Sequence, residues 1–195
     1  MYIVGITGGI GSGKTTVAKL FEAYNIPVYY ADIEAKKLMN SDSNIKNKLI
    51  AVFGNATYLD NQLNRVYLAK IVFNDKAKLA ELNSIVHPEV RKHFLLWASS
   101  QNAPFVLKEN AILYESGDAA NCDSVIVVSA PKEVKIKRVM LRDNCNEEAV
   151  LARMNNQWTD AKKAQLADYT IINTELTETI KQVEKTYQKI KLKVK

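Results

Sequence analysis

The chain has 195 residues, 47% of them hydrophobic and 25% charged, with a formal net charge of +6. This is a globular composition, long enough for one domain carrying an insertion, and no run approaches the ~18 apolar residues of a membrane span. Its two cysteines, Cys122 and Cys145, form no C-x-x-C pair, which argues against a disulfide framework or a zinc site and fits a reducing cytoplasm.

Taken from the N-terminus, the apolar run Tyr2–Thr7 reads as a strand, entered at once and leaving no room for a signal peptide. A glycine-rich octet, residues 8–15 (GGIGSGKT), follows it. Val17, Leu20, Phe21 and Tyr24 then recur at i, i+3, i+4 and i+7, predicting a helix that stops ahead of Pro27. Val28–Ala31 reads as a short buried strand ending at Asp32. From 33 to 101 the pattern is helical, with no strand predicted. Ile45, Leu49, Ile50 and Phe53 share one face; Leu79, Leu82, Ile85 and Val86 share a second until Pro88 interrupts; Val90, Phe94, Leu95 and Trp97 make a third. Phe105–Leu107 resumes the sheet and leads to Glu109. Val125–Val128 is the clearest buried strand, closed by Pro131. A basic helix is predicted from about 132 to 142. Asn144 is placed as the cap of a second helix, with Glu147 three residues on as its capping-box partner. Tyr169–Ile172 is the last strand.

The C-terminal segment predicts an amphipathic helix. Leu176, Ile180, Val183, Tyr187 and Ile190 form its apolar face, and Lys181, Lys185, Lys189, Lys191, Lys193 and Lys195 its solvated one. That placement explains much of the positive charge without a nucleic-acid partner. Five strands alternating with helices predict an α/β fold with a parallel sheet covered on both faces, a three-layer core. The core takes 1–32 and 102–195, and the helical block 33–101 is inserted between its second and third strands.

The octet fits G-x-x-x-x-G-K-[ST], with Gly8, Gly13, Lys14 and Thr15 in the fixed places. Strand, glycine loop and helix together make a phosphate site. The backbone of Gly8, Gly9, Gly11, Ser12, Gly13, Lys14, Thr15 and Thr16 closes around the anion, with N–H groups and the helix N-terminus facing the phosphates. Lys14 adds a point charge on the transferring group, and the Thr15 hydroxyl is the ligand for Mg²⁺. Ligands of open α/β sheets bind beyond the carboxyl ends of the strands, where Asp32 and Glu109 also stand. Phosphoryl transfer to an alcohol needs a carboxylate to take its proton, and Asp32 is the candidate base; the alternative is a cap for the helix beginning near Ile33. Glu109 is either an acid near Mg²⁺ and Thr15 or a surface residue. Arg138, Arg142 and Arg153 either cover the phosphates from a mobile helical pair or face solvent, with Glu147 and Glu148 as partners. His87, ahead of Pro88, and Arg65 read as structural and surface residues or as substrate contacts.

Val4–Thr15, Ala31–Ile33, Arg65–Phe73 (R-x-x-L-x-x-x-V-F), Leu82–Pro88 (LNSIVHP), Arg142–Asp143 with Arg153 and Gln157, and Ala167–Asn173 together resemble the dephospho-CoA kinase family over almost the whole length. The resemblance implies transfer of the ATP γ-phosphate to the ribose 3′-hydroxyl of dephospho-CoA, in the cytoplasm, by a monomer or small homo-oligomer with no nucleic-acid or membrane partner. It implies a P-loop core, an acceptor-binding insertion and a helical lid at about 138–165. Asp32 is then the base and Lys14 the γ-phosphate ligand; Arg65, His87, Glu109 and Arg153 lie by the acceptor, Arg138 and Arg142 by the phosphates, and Asn173 near the adenine. The chain departs from the family at Glu109–Leu113, where an acidic-x-Pro-Leu-Leu segment is usual and Glu and Ala replace Asp and Pro, and at Thr15, often Ser. A guanine reader would carry N-K-x-D, and residues 47–50 (NKLI) lack the Asp.

Overall fold

A computed structural model of the protein describes residues 1–72 and 75–194. Phe73, which closes the R-x-x-L-x-x-x-V-F segment, and Lys195 of the lysine face lie outside the described residues. The chain divides into two compact units, Met1–Tyr30 with Gln101–Lys195, and Ala31–Ser100. Asp32 therefore belongs to the inserted unit.

The first unit holds a five-stranded parallel sheet. Its strands are β1 (Tyr2–Thr7), β2 (Val28–Tyr30), β5 (Phe105–Glu109), β6 (Ser124–Ser129) and β7 (Tyr169–Ile172), in the order β2-β5-β1-β6-β7. The inserted unit contributes β3 (Tyr58–Leu59) and β4 (Gln62–Leu63). β1 is central and covered on both faces: Val4 and Ile6 are fully buried on one, and Gly5 and Thr7 are buried on the other. Ile6 and Tyr30 are both in register with Glu109, and Ser129 with Ile172, which aligns the carboxyl ends along one edge. Helix α1 (Lys14–Glu22) buries Val17 and Phe21 against the sheet beside α9 (Leu176–Lys193), and Tyr24 stacks on Tyr187 at 4.5 Å between ring centroids. The buried stripe of α9 is Thr179, Val183, Thr186 and Ile190. Leu176 (57% exposed) and Ile180 (41%), assigned to the apolar face from the sequence, are exposed, and Thr179 and Thr186 are buried in the stripe beside Val183 and Ile190. The lysines of that helix are exposed, as predicted. Among the described residues no helix is long and apolar enough to cross a membrane.

The connection from β6 to β7 carries α6 (Lys132–Asp143), α7 (Glu147–Asn155) and α8 (Asp160–Leu166). Asn144 does not start α7. It ends α6 in the left-handed region, at φ 48°, a conformation Asn tolerates, and Asn146 is the true cap, its side chain accepting from the Ala149 N–H at 3.0 Å.

The inserted unit comprises α2 (Ala31–Ser41), α3 (Ser43–Phe53), a hairpin of β3 (Tyr58–Leu59) and β4 (Gln62–Leu63), α4 (Arg65–Val72) and α5 (Lys76–Ser99). Ile45, Leu49 and Phe53 of α3 and Val86, Val90, Phe94 and Ala98 of α5 form its interior. Two expectations fail here. The hairpin was not predicted; Asp60 and Asn61, both at positive φ (47° and 63°), form its two-residue turn. Pro88 does not interrupt α5: Val86 on one side of it and Val90 and Phe94 on the other bury one continuous face, which outweighs one missing helical bond.

Candidate active site

β1 delivers the chain into the loop 8–13, and Gly13 caps α1 with φ 87°, a left-handed conformation that suits glycine. Space is as restrictive as torsion. A Cβ on Gly13 would run into the Asn173 amide, and one on Gly8 into the Val128 carbonyl oxygen, with Ser12 Oγ 2.8 Å away. The first i→i−4 bond of α1 joins the Val17 N–H to the Gly13 carbonyl at 3.1 Å. The amides of Lys14, Thr15 and Thr16 therefore precede the helical ladder, where an anion meets them. Lys14 is half-buried and Thr15 is exposed. Ser12 Oγ is buried without a hydrogen-bond partner inside this turn. Close-packed glycines, uncapped helix amides, a lysine and an available hydroxyl fit a nucleoside triphosphate with Mg²⁺. Among the described residues no group of three His, Cys, Asp or Glu forms a metal cage; a Mg²⁺ held largely by phosphates needs none.

Asn173 buttresses this loop from the end of β7. Its Nδ2 donates to the Ser12 carbonyl (2.8 Å) and its Oδ1 accepts from Thr179 Oγ1 (3.1 Å). Arg138 is brought to the same place, donating to the carbonyls of Asn173 (2.9 Å) and Thr174 (3.3 Å). The other end of the loop is held by α8 and the residues just before it. The Gly9 N–H donates to Asp160 Oδ1 and the Ile10 N–H to Gln157 Oε1, both at 2.9 Å.

Glu109 ends β5 and is only 7% exposed, which removes the surface-residue alternative. Desolvation, then the hydrogen bond to Glu22, then the charges of Glu22 and Glu109 push the half-buried Tyr30 hydroxyl above the usual phenol range. Asp32 sits in the first turn of α2, two residues past the end of β2, and is exposed. It lies inside the helix, one residue after its start, so it does not cap it.

Arg142 and Arg153 converge on one carboxylate. Arg142 donates to both oxygens of Asp143 (2.7 and 3.0 Å), and Arg153 adds a 2.6 Å bond to Oδ2. The hydrogen bond from Arg142, then that from Arg153, holds the Asp143 carboxyl at a pKa of about 2. Asp143, not the Glu147 and Glu148 named as partners from the sequence, balances these arginines. Arg138 faces away from the pair, at the Asn173 turn.

In the inserted unit Arg65 opens α4 and lies in an open trough of about 630 Å³ with Ile33, Lys36, Lys37, Asn40, Ser41 and Gln62. Lys36 and Lys37 were missed from the sequence, although 33, 36, 37, 40 and 41 trace one helical face. His87 is exposed in the interior of α5 and does not line the trough. Asp160 and Lys135 were missed too: a buried ion pair leaves no periodic trace in sequence.

The family model for dephospho-CoA kinases matches residues 2–178. A dephospho-CoA kinase of Bacteroides fragilis is 37% identical over 171 residues, covering 87% of this chain and 83% of that protein. Among solved structures, TT1252 from Thermus thermophilus matches with a TM-score of 0.88 and 34% identity over 96% of each chain. The dephospho-CoA kinase from Campylobacter jejuni matches with a TM-score of 0.70 and 27% identity over 98% of each.

Proposed function

Because the chain belongs to the dephospho-CoA kinase family, we propose that it transfers the γ-phosphoryl group of ATP to the ribose 3′-hydroxyl of dephospho-CoA, completing coenzyme A. The observation that carries the phosphoryl chemistry is the cradle itself, whose glycines are packed so closely that a single added Cβ at Gly8 or Gly13 would collide with its walls. In this reading the loop amides of Gly11 and of Gly13 to Thr16 hold the β- and γ-phosphates, and Lys14 follows charge onto the γ-group as its bond to the leaving oxygen breaks. Mg²⁺, which Thr15 would hold, would supply further charge neutralisation to the phosphates. Asp32 accepts the proton of the attacking 3′-hydroxyl. Arg142 exchanges Asp143 for phosphate oxygens and screens the developing charge, and Arg153, released from the same carboxylate, serves the acceptor. Arg138 and Asn173 stand at the adenine end, and Arg65, His87 and Glu109 serve the acceptor.

The reading includes a small-molecule acceptor, a cytoplasmic place of action, no nucleic-acid or membrane partner, and a monomer or small homo-oligomer. The free thiols Cys122 and Cys145 accord with a reducing compartment. Transfer of label from γ-labelled ATP to a panel of alcohols tests the proposal. Dephospho-CoA is the expected acceptor, and preference for AMP or a nucleoside would overturn it.

A further inference from the structure

Three amides of the phosphate loop are already spoken for, that of Ser12 by the Gly9 carbonyl at 3.1 Å. Those of Gly9 and Ile10 are held at 2.9 Å by Asp160 and Gln157. Asp160 is 8% exposed and fully engaged: its second oxygen accepts from Lys135 Nζ at 2.7 Å and from Ser129 Oγ at 3.1 Å. Lys135, on α6, is equally buried, so the pair is neutral as a unit and its members are costly to separate.

The segment carrying these acceptors is itself fixed. The Trp158 N–H donates to Glu115 at 2.8 Å, Thr159 caps α8, and the fully buried Lys163 donates to the Ala111 carbonyl at 2.8 Å and pairs with Glu115 at 2.9 Å. The Ile10 side chain completes the contact from the other direction, packing on the apolar cluster of Ile136, Val139 and Val150 between α6 and α7.

We propose that Asp160, with Lys135 as its counter-ion and Gln157 beside it, is a positioning residue for the phosphate cradle. It latches the outer arm of the loop to the end of the arginine-bearing α7. The physical reason is twofold. A loop whose first amides already have acceptors cannot turn them toward the ligand, so the later amides, Gly11 and Gly13 to Thr16, keep one fixed orientation. A bare carboxylate this close would repel a polyphosphate, and Lys135 cancels that charge locally. The same latch sets where α7, with Arg153 in its last turn, ends.

The inference rests on ATP being the phosphoryl donor, so the experiment first measures ADP and ATP binding to the full wild-type chain. If the wild type bound neither, the functional reading itself would fail, separately from the latch. Asp160→Ala, Gln157→Ala and the double variant Lys135→Met with Asp160→Asn are then compared by equilibrium ADP binding, by KM for ATP against KM for dephospho-CoA, and by urea unfolding. Asp160→Ala is expected to weaken ADP binding and raise the ATP KM by about tenfold, the loss of a charged acceptor on a buried amide, with the acceptor KM unmoved. Gln157→Ala, a neutral bond, moves the same quantities by about threefold. The double variant keeps an oxygen for the Gly9 amide and leaves no stray cation, so it recovers most of the loss. Should Asp160→Ala fail to fold, Gln157→Ala and the double variant carry the test. Unchanged ADP affinity in Gln157→Ala, equal shifts in both KM values, or ADP binding by the double variant at least tenfold weaker than wild type would overturn the proposal.

Discussion

The two units hold their candidate residues in opposite ways. In the sheet-bearing unit the phosphate loop is fixed from every direction: Asn173 on the Ser12 carbonyl, Asp160 on the Gly9 amide, Gln157 on the Ile10 amide and Val128 against Gly8. In the inserted unit Asp32, Lys36, Arg65 and His87 stand exposed on helix surfaces. A cradle for a triphosphate benefits from being built before the ligand arrives, since fixed dipoles cost no reorganisation during reaction. In the proposed reading an acceptor with a long flexible arm would be met instead by long exposed side chains that order on contact, making its binding the more adaptable half of the reaction.

Substitutions on the two sides should separate these behaviours. The largest effect is expected from Lys14→Ala, a loss of roughly a thousandfold in kcat/KM with the urea midpoint unchanged, because a half-buried cation of the anion site contributes little to the core. Next comes Asp32→Asn. It should lower kcat by roughly a hundredfold while ATP affinity, read by direct titration, stays at the wild-type value; near-normal turnover would remove Asp32 as the base. Arg65→Ala and Lys36→Ala should each raise the dephospho-CoA KM by about tenfold and leave the ATP KM alone. A shift in the ATP KM instead would erase the contrast between the units.

The smallest effect concerns pH. The Asp143 carboxyl is lowered to about 2, so its clamp on Arg142 and Arg153 is complete above the unfolded value of about 4 and is lost only as pH falls through 2. Asp143→Asn should therefore leave the shape of the kcat profile unchanged between about pH 5 and 9, and a carbon-detected titration of Asp143 should show no inflection in that window.

Much of this was legible in sequence where one residue type is forced by backbone geometry or period. Gly8 and Gly13 cannot be replaced in their packing, so the loop announced itself, and the apolar runs of β1, β5 and β6 are what strands buried on both faces require. Residues that act by pairing across the chain were silent. Lys135 and Asp160 look like ordinary charges on amphipathic helices until folding brings them within 2.7 Å, and Asp143 reads as one acid among several near Glu147. The Asp60–Asn61 turn carried a usable hairpin signal that its helical surroundings masked. At Asn144, capping chemistry was recognised but assigned to the wrong helix end, since Asn serves either.

The bond from Asn173 to the Ser12 carbonyl closes a loop 161 residues long in sequence, and β1 is flanked on both sides by strands that emerge more than a hundred residues after it. During ribosomal synthesis the phosphate loop therefore waits for a partner made 161 residues later. Nascent chains lacking β7 and α9 should not retain on an ATP resin, and that capacity should switch on abruptly as Asn173 and Thr179 clear the exit tunnel.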